Sequence, residues 1–537
     1  MLTGAQAVIK ALEAEGVNTV FGYPGAAVCP FLDALRETEI KYVLMRHEQN
    51  AGHAANGYAR LTGRPGVCFA TSGPGATNLI TALATAYMDS IPVIAITGQV
   101  RSDLIGRDVF QEADITGAAE PFCKHSYLVK DPQSLPRVLK EAFYIASTGR
   151  PGPVLIDLPV DVQQAQIDFE YPKTVDIRGY KPSIRGHALQ IKRLAAAIAQ
   201  AKKPVICAGG GIFASGAQKE LSDFALKTRI PVITTLMGIG ALPSDHELCF
   251  GMLGRYGVAA ANRAIREADL LIIVGGRVGD RAVSDPDQIA AHTRVAHIDI
   301  DPAEIGKNME TDIPIVGDAA RVLHDLAEAA SPQDTSDWLG YLGKLREKAP
   351  EKKTARAGYI EPRGFMRTLS DMMEPDGLLV SDVGQNQIWA ASSVKIRNGR
   401  FLTSGGMGTM GYSLPAAMGA YLASGRQTVS VCGDGAFQMS MMELATMMQY
   451  GLPIKIAVMR NDRLGMVREL QSQFYGGRLT ATVLSGDPDF TELAAAYGIP
   501  GAKLCDNGGA ADAIQTMLSA QGPYLLECAV SPDEPTL

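Results

Sequence analysis

An α/β chain of three doubly wound domains with mostly parallel sheets is the fold class this sequence predicts. Three observations predict it: short apolar runs that end in glycine, helical stretches between those runs, and two polar interruptions that cut the 537 residues into thirds. The runs in the first two thirds are "VNTVFGYPG", "RPGVCFATSGPGATN", "IPVIAITGQV", "GPVLIDLPVDV", "KPVICAGGG", "IPVITTLMGIG", "ADLLIIVGGRVGD" and "RVAHIDIDP". The last third adds "GLLVSDVGQN", "TVSVCGDGAF", "PIKIAVMRND" and "PYLLECAV". Strands that alternate with helices build parallel sheets covered on both faces. A chain of this length exceeds one compact core, so two to four domains are expected.

The interruptions are residues 166–187 and 331–362, polar or charged and without periodicity. Both read as linkers or domain-crossing segments. They leave units of 1–165, 186–335 and 360–537, each of ordinary domain size.

Net charge is −7 and no Lys/Arg block occurs, so a nucleic-acid surface is not indicated. No apolar run reaches the roughly 20 residues that span a bilayer. Residues 1–20 lack the basic-then-apolar plan of a signal peptide. The eight cysteines (29, 68, 123, 207, 249, 432, 505, 528) are scattered with no CxxC pair. They read as reduced cysteines, most in core strands, of a cytoplasmic protein.

The most informative stretch is "TVSVCGDGAFQMSMMELATMMQYGLPIKIAVMRNDRLGM". A strand over Thr428–Cys432 ends in Gly433-Asp434-Gly435; a helix over Phe437–Gln449 and a strand over Ile454–Met459 follow, then Asn461. Twenty-five residues separate Gly435 from Asn461. A strand-helix-strand unit returns parallel, which puts Asp434 and Asn461 at carboxyl ends of strands, where ligands bind in open sheets. A carboxylate and an amide oxygen suit Mg2+, which fills its octahedron with phosphate oxygens and water. Asp-Gly alone reads as a turn; with Asn at this spacing, a diphosphate-metal site is the better reading.

In the N-terminal third, "MRHEQNAGHAANGYAR" places Glu48 where a strand-like run gives way to a helical pattern. Glu48 could be a helix-start acid, a metal ligand with His47 and His53, or a catalytic group. The hydrolase pattern HExxH would need His at position 51, which is Ala51. Gly209-x-Gly211-x-x-Ala214 after "PVICA" fits a dinucleotide fingerprint weakly, and no acidic residue ending a second strand is evident.

Across nearly its whole length the chain resembles the acetohydroxyacid synthase (acetolactate synthase) large subunit, within the thiamin diphosphate (ThDP) enzymes. The resemblance rests on "FGYPGA", "RHEQNAGHAANGYAR", "ATSGPGATN", "DSIPVIAITGQV", "FQEADI", "TGRPGPVLIDLPVDV", "SDVGQNQIWA", "LTSGGMGTMGYSLPAA" and "GDGAFQM". It implies an N-terminal pyrimidine-binding domain, a central FAD-binding-like domain and a C-terminal diphosphate-binding domain. The implied metal set on Mg2+ is Asp434, Asn461 and the carbonyl of Arg463. Glu48 matches the glutamate that hydrogen-bonds the aminopyrimidine, from the other subunit of a dimer, and promotes loss of the thiazolium C2 proton. A dry site would assist that acid. Met410 matches the bulky residue under the bent cofactor. Pro24, Gly25, Val383, Gly384, Gln385, Asn386, Gly408, Gly433, Gly435, Ala436, Gly465 and Met466 match further ThDP contacts, and Gln111 lies near the thiazolium. Lys124 and Arg277 keep positive charge where the family handles substrate carboxylates. The alanines and glycines behind Glu48 read as close helix packing at the dimer interface.

The central positions that match the family's flavin contacts are Arg150, Gly209, Gly210, Gly211, Thr234, Leu236, Gly254, Arg255, Gly276, Arg277, Arg281, Asp299, Ile300 and Asp318. In this branch the FAD takes no net redox part. The chain departs from the family at Ala26, in Gly254-Arg255-Tyr256-Gly257, in "GGRVGDR" and at Leu470, where an aromatic residue helps select the acceptor. The sequence ends at "SPDEPTL", short of a tail that often covers the site in the family.

The expected activity is condensation of pyruvate with pyruvate or 2-oxobutanoate, with loss of CO2, for branched-chain amino-acid biosynthesis. Expected partners are 2-keto acid substrates and further copies of the chain in a homodimer or tetramer with shared sites, with room for a small regulatory subunit. Competing readings are another ThDP enzyme (glyoxylate carboligase, oxalyl-CoA decarboxylase or pyruvate oxidase type), a zinc hydrolase, and a non-catalytic flavin or nucleotide binder.

Overall fold

A computed structural model describes residues 1–347 and 356–537. The N-terminal third holds β1 (Leu2–Thr3), β2 (Thr19–Gly22), β3 (Lys41–Leu44), β4 (Gly66–Ala70), β5 (Val93–Gln99), β6 (His125–Leu128), β7 (Val154–Pro159) and β8 (Gln166–Ile167). The middle third holds β9 (Pro204–Ala208), β10 (Val232–Thr234), β11 (Cys249–Met252), β12 (Leu270–Val274), β13 (Arg294–Asp299) and β14 (Ile313–Val316). The last third holds β15 (Leu378–Ser381), β16 (Arg400–Leu402), β17 (Thr428–Gly433), β18 (Lys455–Arg460), β19 (Gly501–Leu504) and β20 (Tyr524–Ala529).

Each third forms one 6-stranded sheet, parallel throughout. The small β1–β8 pair is antiparallel. The central strands are apolar nearly end to end: every residue of β4, β5, β9 and β12 is buried, as helices on both faces require.

The outer two sheets share one topology. Their orders are β3-β2-β4-β5-β7-β6 and β16-β15-β17-β18-β20-β19. Both switch direction beside the strand that comes first in the sequence, so the crevice opens between β2 and β4 in one sheet and between β15 and β17 in the other. The middle sheet runs β11-β10-β9-β12-β13-β14. That is the order 3-2-1-4-5-6 of dinucleotide-binding sheets, with its crevice between β9 and β12.

Two sequence expectations change. Within 331–362, read as a linker, residues Ser336–Glu347 form a helix. Trp338 and Leu342, one helical turn apart, are buried against the middle core, and the indole N–H donates to the Pro204 carbonyl at 3.2 Å. Surrounding charge hid this two-residue stripe. The part of that linker at 348–355 lies outside the described residues.

The second change concerns the small-residue face of the helix Glu48–Thr62, expected at a dimer interface. It is covered within the chain by the helix Ser413–Ser424 of the last third. A Cβ on Gly57 would lie 2.0 Å from the Ala416 carbonyl oxygen, and one on Gly419 would lie 1.8 Å from that of Ala54. Glycine at both positions lets the two backbones touch. This contact joins the first sheet to the last.

Candidate active site

At the carboxyl edge of the last sheet, β17 and β18 are neighbours in register from Val429–Lys455 to Gly433–Met459. The next residues are therefore brought side by side. Asp434 Oδ2 accepts the N–H of Asn461 at 3.0 Å and of Asp462 at 2.6 Å, while Oδ1 accepts the N–H of Gly435 at 2.9 Å. Asp434 is buried, and that burial pushes its carboxyl up to about 6 against the three N–H donors. The Asn461 amide donates to Gln385 Oε1 at 3.0 Å, and its own oxygen accepts the N–H of Arg463 at 3.1 Å. Asp462 and Asp487 bring their carboxylates within 4.8 Å of Asp434, a flanking negative charge the sequence did not reveal.

One strand over, Gly384 adopts φ +146, and Gln385–Ser393 begins its helix there. A Cβ on Gly384 would lie 2.7 Å from Asn386 Oδ1, and one on Gly465 would lie 1.8 Å from Gln385 Oε1. Gly384, Gln385, Asn386, Gly433, Asp434, Asn461 and Gly465 thus form one continuous edge. Gly435 faces Leu464, Leu484 and Met410, whose atoms would lie 3.0, 3.3 and 3.5 Å from an added Cβ. That brings Met410 to the same edge.

Asp382 was not singled out by sequence. It is fully buried in the turn after β15, and its oxygens accept the N–H of Val383 (2.8 Å), Gly411 (3.0 Å) and Ser413 (2.8 Å). It therefore anchors the backbone just after Met410. Burial pushes its carboxyl up to about 6, against those donors. The only signal was an acid just before a glycine turn in "SDVGQN".

The same loop is held from the first third. Asp89 accepts the N–H of Gly406 at 2.7 Å and of Gly405 at 3.1 Å, and Arg60 bridges to Asp89 at 2.7 Å. The hydroxyls of Thr85 and Thr409 lie 2.7 Å apart. From the middle third, Arg277 reaches the same place: Nη2 would lie 2.8 Å from a Cβ on Gly406. All three domains meet at residues 404–413, next to Gly408 and Met410.

In the first sheet, the turns after β2 and β4 form the corresponding edge. A Cβ on Gly25 would meet the Thr71 side chain at 2.4 Å, and one on Gly75 would lie 3.2 Å from Glu48 Oε1. Asn78 donates to Glu48 Oε2 at 3.0 Å. Gln111, at φ +58, packs its backbone on Gly73. Glu48, Gly25 and Gln111 therefore share one end of the sheet, with Pro24 exposed beside them. His47 caps the helix by accepting the Gln49 N–H at 3.1 Å. His53 is buried with both ring nitrogens unpaired, and burial lowers its pKa to about 3, so it is neutral. No His47–Glu48–His53 metal grouping forms among the described residues.

Lys124 is placed differently from a substrate-facing cation. Its ammonium donates to the carbonyls of Ile145 and Thr148 and to the Tyr180 hydroxyl. These close the end of the helix Leu135–Ser147, so all three hydrogens are engaged. Burial lowers its pKa to about 8.

In the middle sheet, Gly209, Gly210 and Gly211 follow β9, and two of them nest on the turn after β12: a Cβ on Gly209 would lie 2.2 Å from the Gly275 oxygen, and one on Gly211 would lie 2.6 Å from the Gly275 Cα. Thr234 ends β10 and Leu236 opens the short turn after it; Asp299 ends β13, with Ile300 next. Asp299 is an acidic strand end on β13, whereas β10, the strand that follows the glycine turn, ends in Thr234. Burial pushes the Asp299 carboxyl up to about 6, and Oδ1 takes the Asp301 N–H at 2.9 Å. Gly254, at φ +118, and Arg255 lie against Arg281, whose carbonyl accepts the Arg255 N–H at 3.0 Å. Arg150 pairs with Glu304 at 2.7 Å, and Asp318 caps the helix Ala319–Ala329.

Comparison with known proteins gives three domain matches. Residues 2–118 match the N-terminal TPP binding domain, 191–326 the central domain and 382–528 the C-terminal TPP binding domain of thiamine pyrophosphate enzymes. The probable acetolactate synthase large subunit of Methanocaldococcus jannaschii is 46% identical over 99% of this chain and 93% of its own length. The acetolactate synthase large subunit of Corynebacterium glutamicum is 48% identical, covering 93% of this chain and 82% of its own. The acetolactate synthase of Arthrospira platensis is 46% identical over 99% of this chain and 95% of its own. With two like sheets flanking a dinucleotide-type sheet and the Asp434–Asn461 pair at the last sheet's edge, the chain belongs to the acetolactate synthase large-subunit family of thiamine pyrophosphate enzymes.

Proposed function

We propose that this chain decarboxylates pyruvate and joins the retained two-carbon unit to a second 2-keto acid, pyruvate or 2-oxobutanoate. The products are acetolactate or acetohydroxybutanoate, precursors of branched-chain amino acids. The observation that carries this reading is Asp434 locked to Asn461 across adjacent strands, beside the glycine turns at 384, 433 and 465. The donor set fits a diphosphate-bound Mg2+: three of the four lone-pair positions of the Asp434 carboxylate are filled by N–H groups, which leaves one for a cation. Asp434, the Asn461 amide oxygen and the Arg463 carbonyl would hold the metal. Gly384, Gln385, Asn386, Gly433, Gly435, Ala436, Gly465 and Met466 would enclose the diphosphate, with Met410 under the rings.

When bound, thiamin diphosphate supplies a carbon nucleophile and an electron sink for loss of CO2. The chain's part is to place acids and exclude water. Glu48, steadied by Asn78, would hold and exchange a proton at the aminopyrimidine nitrogen. Gln111 would close that side, and Arg277, reaching across to Gly406, would face the substrate carboxylate. Lys124, with its hydrogens engaged in helix closure, takes no part in this scheme.

The middle sheet fits a flavin dinucleotide. Its strand order and the glycine turns at its switch point suit a pyrophosphate, and the buried Asp299 adds a polar group at the same carboxyl edge. FAD would lie along Gly209–Gly211, Thr234, Gly276 and Asp299. Copies of the chain would pair so that Glu48 of one serves the diphosphate edge of the other, as dimers or tetramers. The relatives named large subunits support an associated small regulatory subunit.

The test is a product assay. Purified protein with ThDP and Mg2+ should make acetolactate from pyruvate, and competition with 2-oxobutanoate reads the acceptor preference that Leu470 leaves open. No acetolactate, with another 2-keto acid consumed, would overturn the reaction. A yellow protein reports the flavin.

A further inference from the structure

The stretch expected as one helix over Phe437–Gln449 is broken. Asp434–Gln438 is a short helix, Met441–Glu443 is a single 3-10 turn, and Leu444–Tyr450 is a second helix. The break turns Glu443 inward, where it is 0% exposed.

Its carboxylate is directed at the segment that carries Glu48. Oε1 accepts the backbone N–H of Arg46 at 3.0 Å and the side-chain amide of Asn50 at 2.8 Å. Oε2 accepts the same Arg46 N–H at 3.2 Å and the Thr446 hydroxyl at 2.7 Å. Arg46 lies two residues before Glu48 and Asn50 two residues after it. One buried carboxylate therefore holds both flanks of the acid through bonds to neither the acid nor the Asp434 edge.

The grip continues along the same strand end. The Tyr450 hydroxyl oxygen accepts the Leu44 N–H at 2.8 Å, and the Thr446 hydroxyl lies 3.2 Å from the Leu44 carbonyl. A buried carboxylate is costly to keep unless its bonds matter to the fold or the site. Here those bonds fix the turn from β3 into the helix that presents Glu48.

We propose that Glu443 is a positioning residue for Glu48, acting through Arg46 and Asn50; this rests on the reading of Glu48 as the proton-exchanging acid. A misplacement of about 1 Å at such an acid lowers turnover about a hundredfold. Glu443→Ala should then lower kcat by about that factor, with KM for pyruvate and affinity for ThDP within about threefold of wild type. Glu443→Gln keeps an oxygen for Arg46 and Asn50, and should restore kcat to within about fivefold.

Two further measurements separate positioning from general loosening. In the protein without cofactor, amide hydrogen exchange over residues 44–50 should quicken at least about tenfold in Glu443→Ala and stay near wild type in Glu443→Gln. In a double-mutant cycle, Glu48→Gln/Glu443→Ala should be no slower than Glu48→Gln alone, because Glu443 works only through the acid. If Glu443→Ala does not fold, Asn50→Ala removes one of the two flanking bonds and should lower kcat about tenfold.

A kcat within about twofold of wild type in the folded variant would overturn the proposal. So would a further loss of about a hundredfold on the Glu48→Gln background, or exchange over 44–50 unchanged. If instead Glu48→Gln itself turns over normally, the assignment of Glu48 fails. The exchange measurement then still reports whether Glu443 holds the turn.

Discussion

Asp434 accepts the backbone N–H of Asn461 at 3.0 Å, although 26 residues lie between them. The bond exists because β17 and β18 are adjacent and parallel, so the residues that follow each strand meet at one edge. It fixes the carboxylate and the amide oxygen in one frame before any ligand arrives. Asp434→Ala removes both the proposed metal ligand and the lock on that frame. Its ThDP affinity in Mg2+ should fall by more than about a hundredfold, the upper range for losing an outer partner of a metal site. Calorimetric titration of the apoprotein measures this; binding within about tenfold of wild type would reassign the metal site.

Asp382 holds three backbone N–H groups around the Met410 loop and is fully buried. Orphaning a buried N–H costs about 1–3 kcal/mol. Asp382→Ala should lose about 3–5 kcal/mol of stability in denaturant unfolding. Asp382→Asn, which keeps one acceptor oxygen, should lose less. The order Ala below Asn below Asp tests whether the carboxylate organises the loop.

Much of this was legible in the sequence, for a physical reason. Glycine after an apolar run is a local signal, so the strand ends at 384, 433 and 209 could be read one by one. Asp434 and Asn461 could be joined because one strand-helix-strand unit links them. What could not be read needs contacts between distant segments. Glu443, Asp89 and Asp382 sit in ordinary contexts, and only the packing of distant segments aims their carboxylates at backbone N–H groups. The two strand orders were hidden likewise, since order in a parallel sheet depends on crossover connections that leave no local mark. Trp338 and Leu342 were masked by charged neighbours, and the glycines behind Glu48 announced close packing but not its place: expected at a dimer interface, it is made with the helix Ser413–Ser424 of the same chain.

The packing of the helices Glu48–Thr62 and Ser413–Ser424 gives a signed prediction. In an open helix interior, Gly→Ala gains about 1 kcal/mol from helix propensity. Gly340, with nothing within 4 Å of an added Cβ, should follow that rule, and Gly340→Ala should raise the unfolding midpoint. Gly419 should reverse it, because the new Cβ would lie 1.8 Å from the Ala54 oxygen, a backbone atom that moves only with its helix. Forcing such contacts costs about 1–3 kcal/mol or more. Thermal unfolding of the two variants side by side separates packing from propensity; equal shifts would contradict the contact.

Asp157 in β7 makes the last prediction, on pH. It is 1% exposed and accepts from Thr97 at 2.6 Å and Gln99 at 2.9 Å. Gln99 in turn donates to the Ala113 carbonyl at 2.8 Å, in the loop that carries Gln111. Burial pushes the Asp157 carboxyl up to about 7, against those two hydrogen bonds. An unfolded aspartic acid releases its proton near pH ~4. Between that pH and about 7 the unfolded chain therefore binds fewer protons than the folded one, so this group's contribution to stability falls as pH rises and levels off above about 7. An asparagine side chain in its place would resemble the protonated acid: its oxygen can accept from Gln99 and its N–H can donate to the Thr97 hydroxyl. Asp157→Asn should match wild type in unfolding free energy near pH ~4 and exceed it by about 1–3 kcal/mol at pH ~8. A variant less stable than wild type at the higher pH would show that the ionised carboxylate, not its neutral form, is what the fold holds.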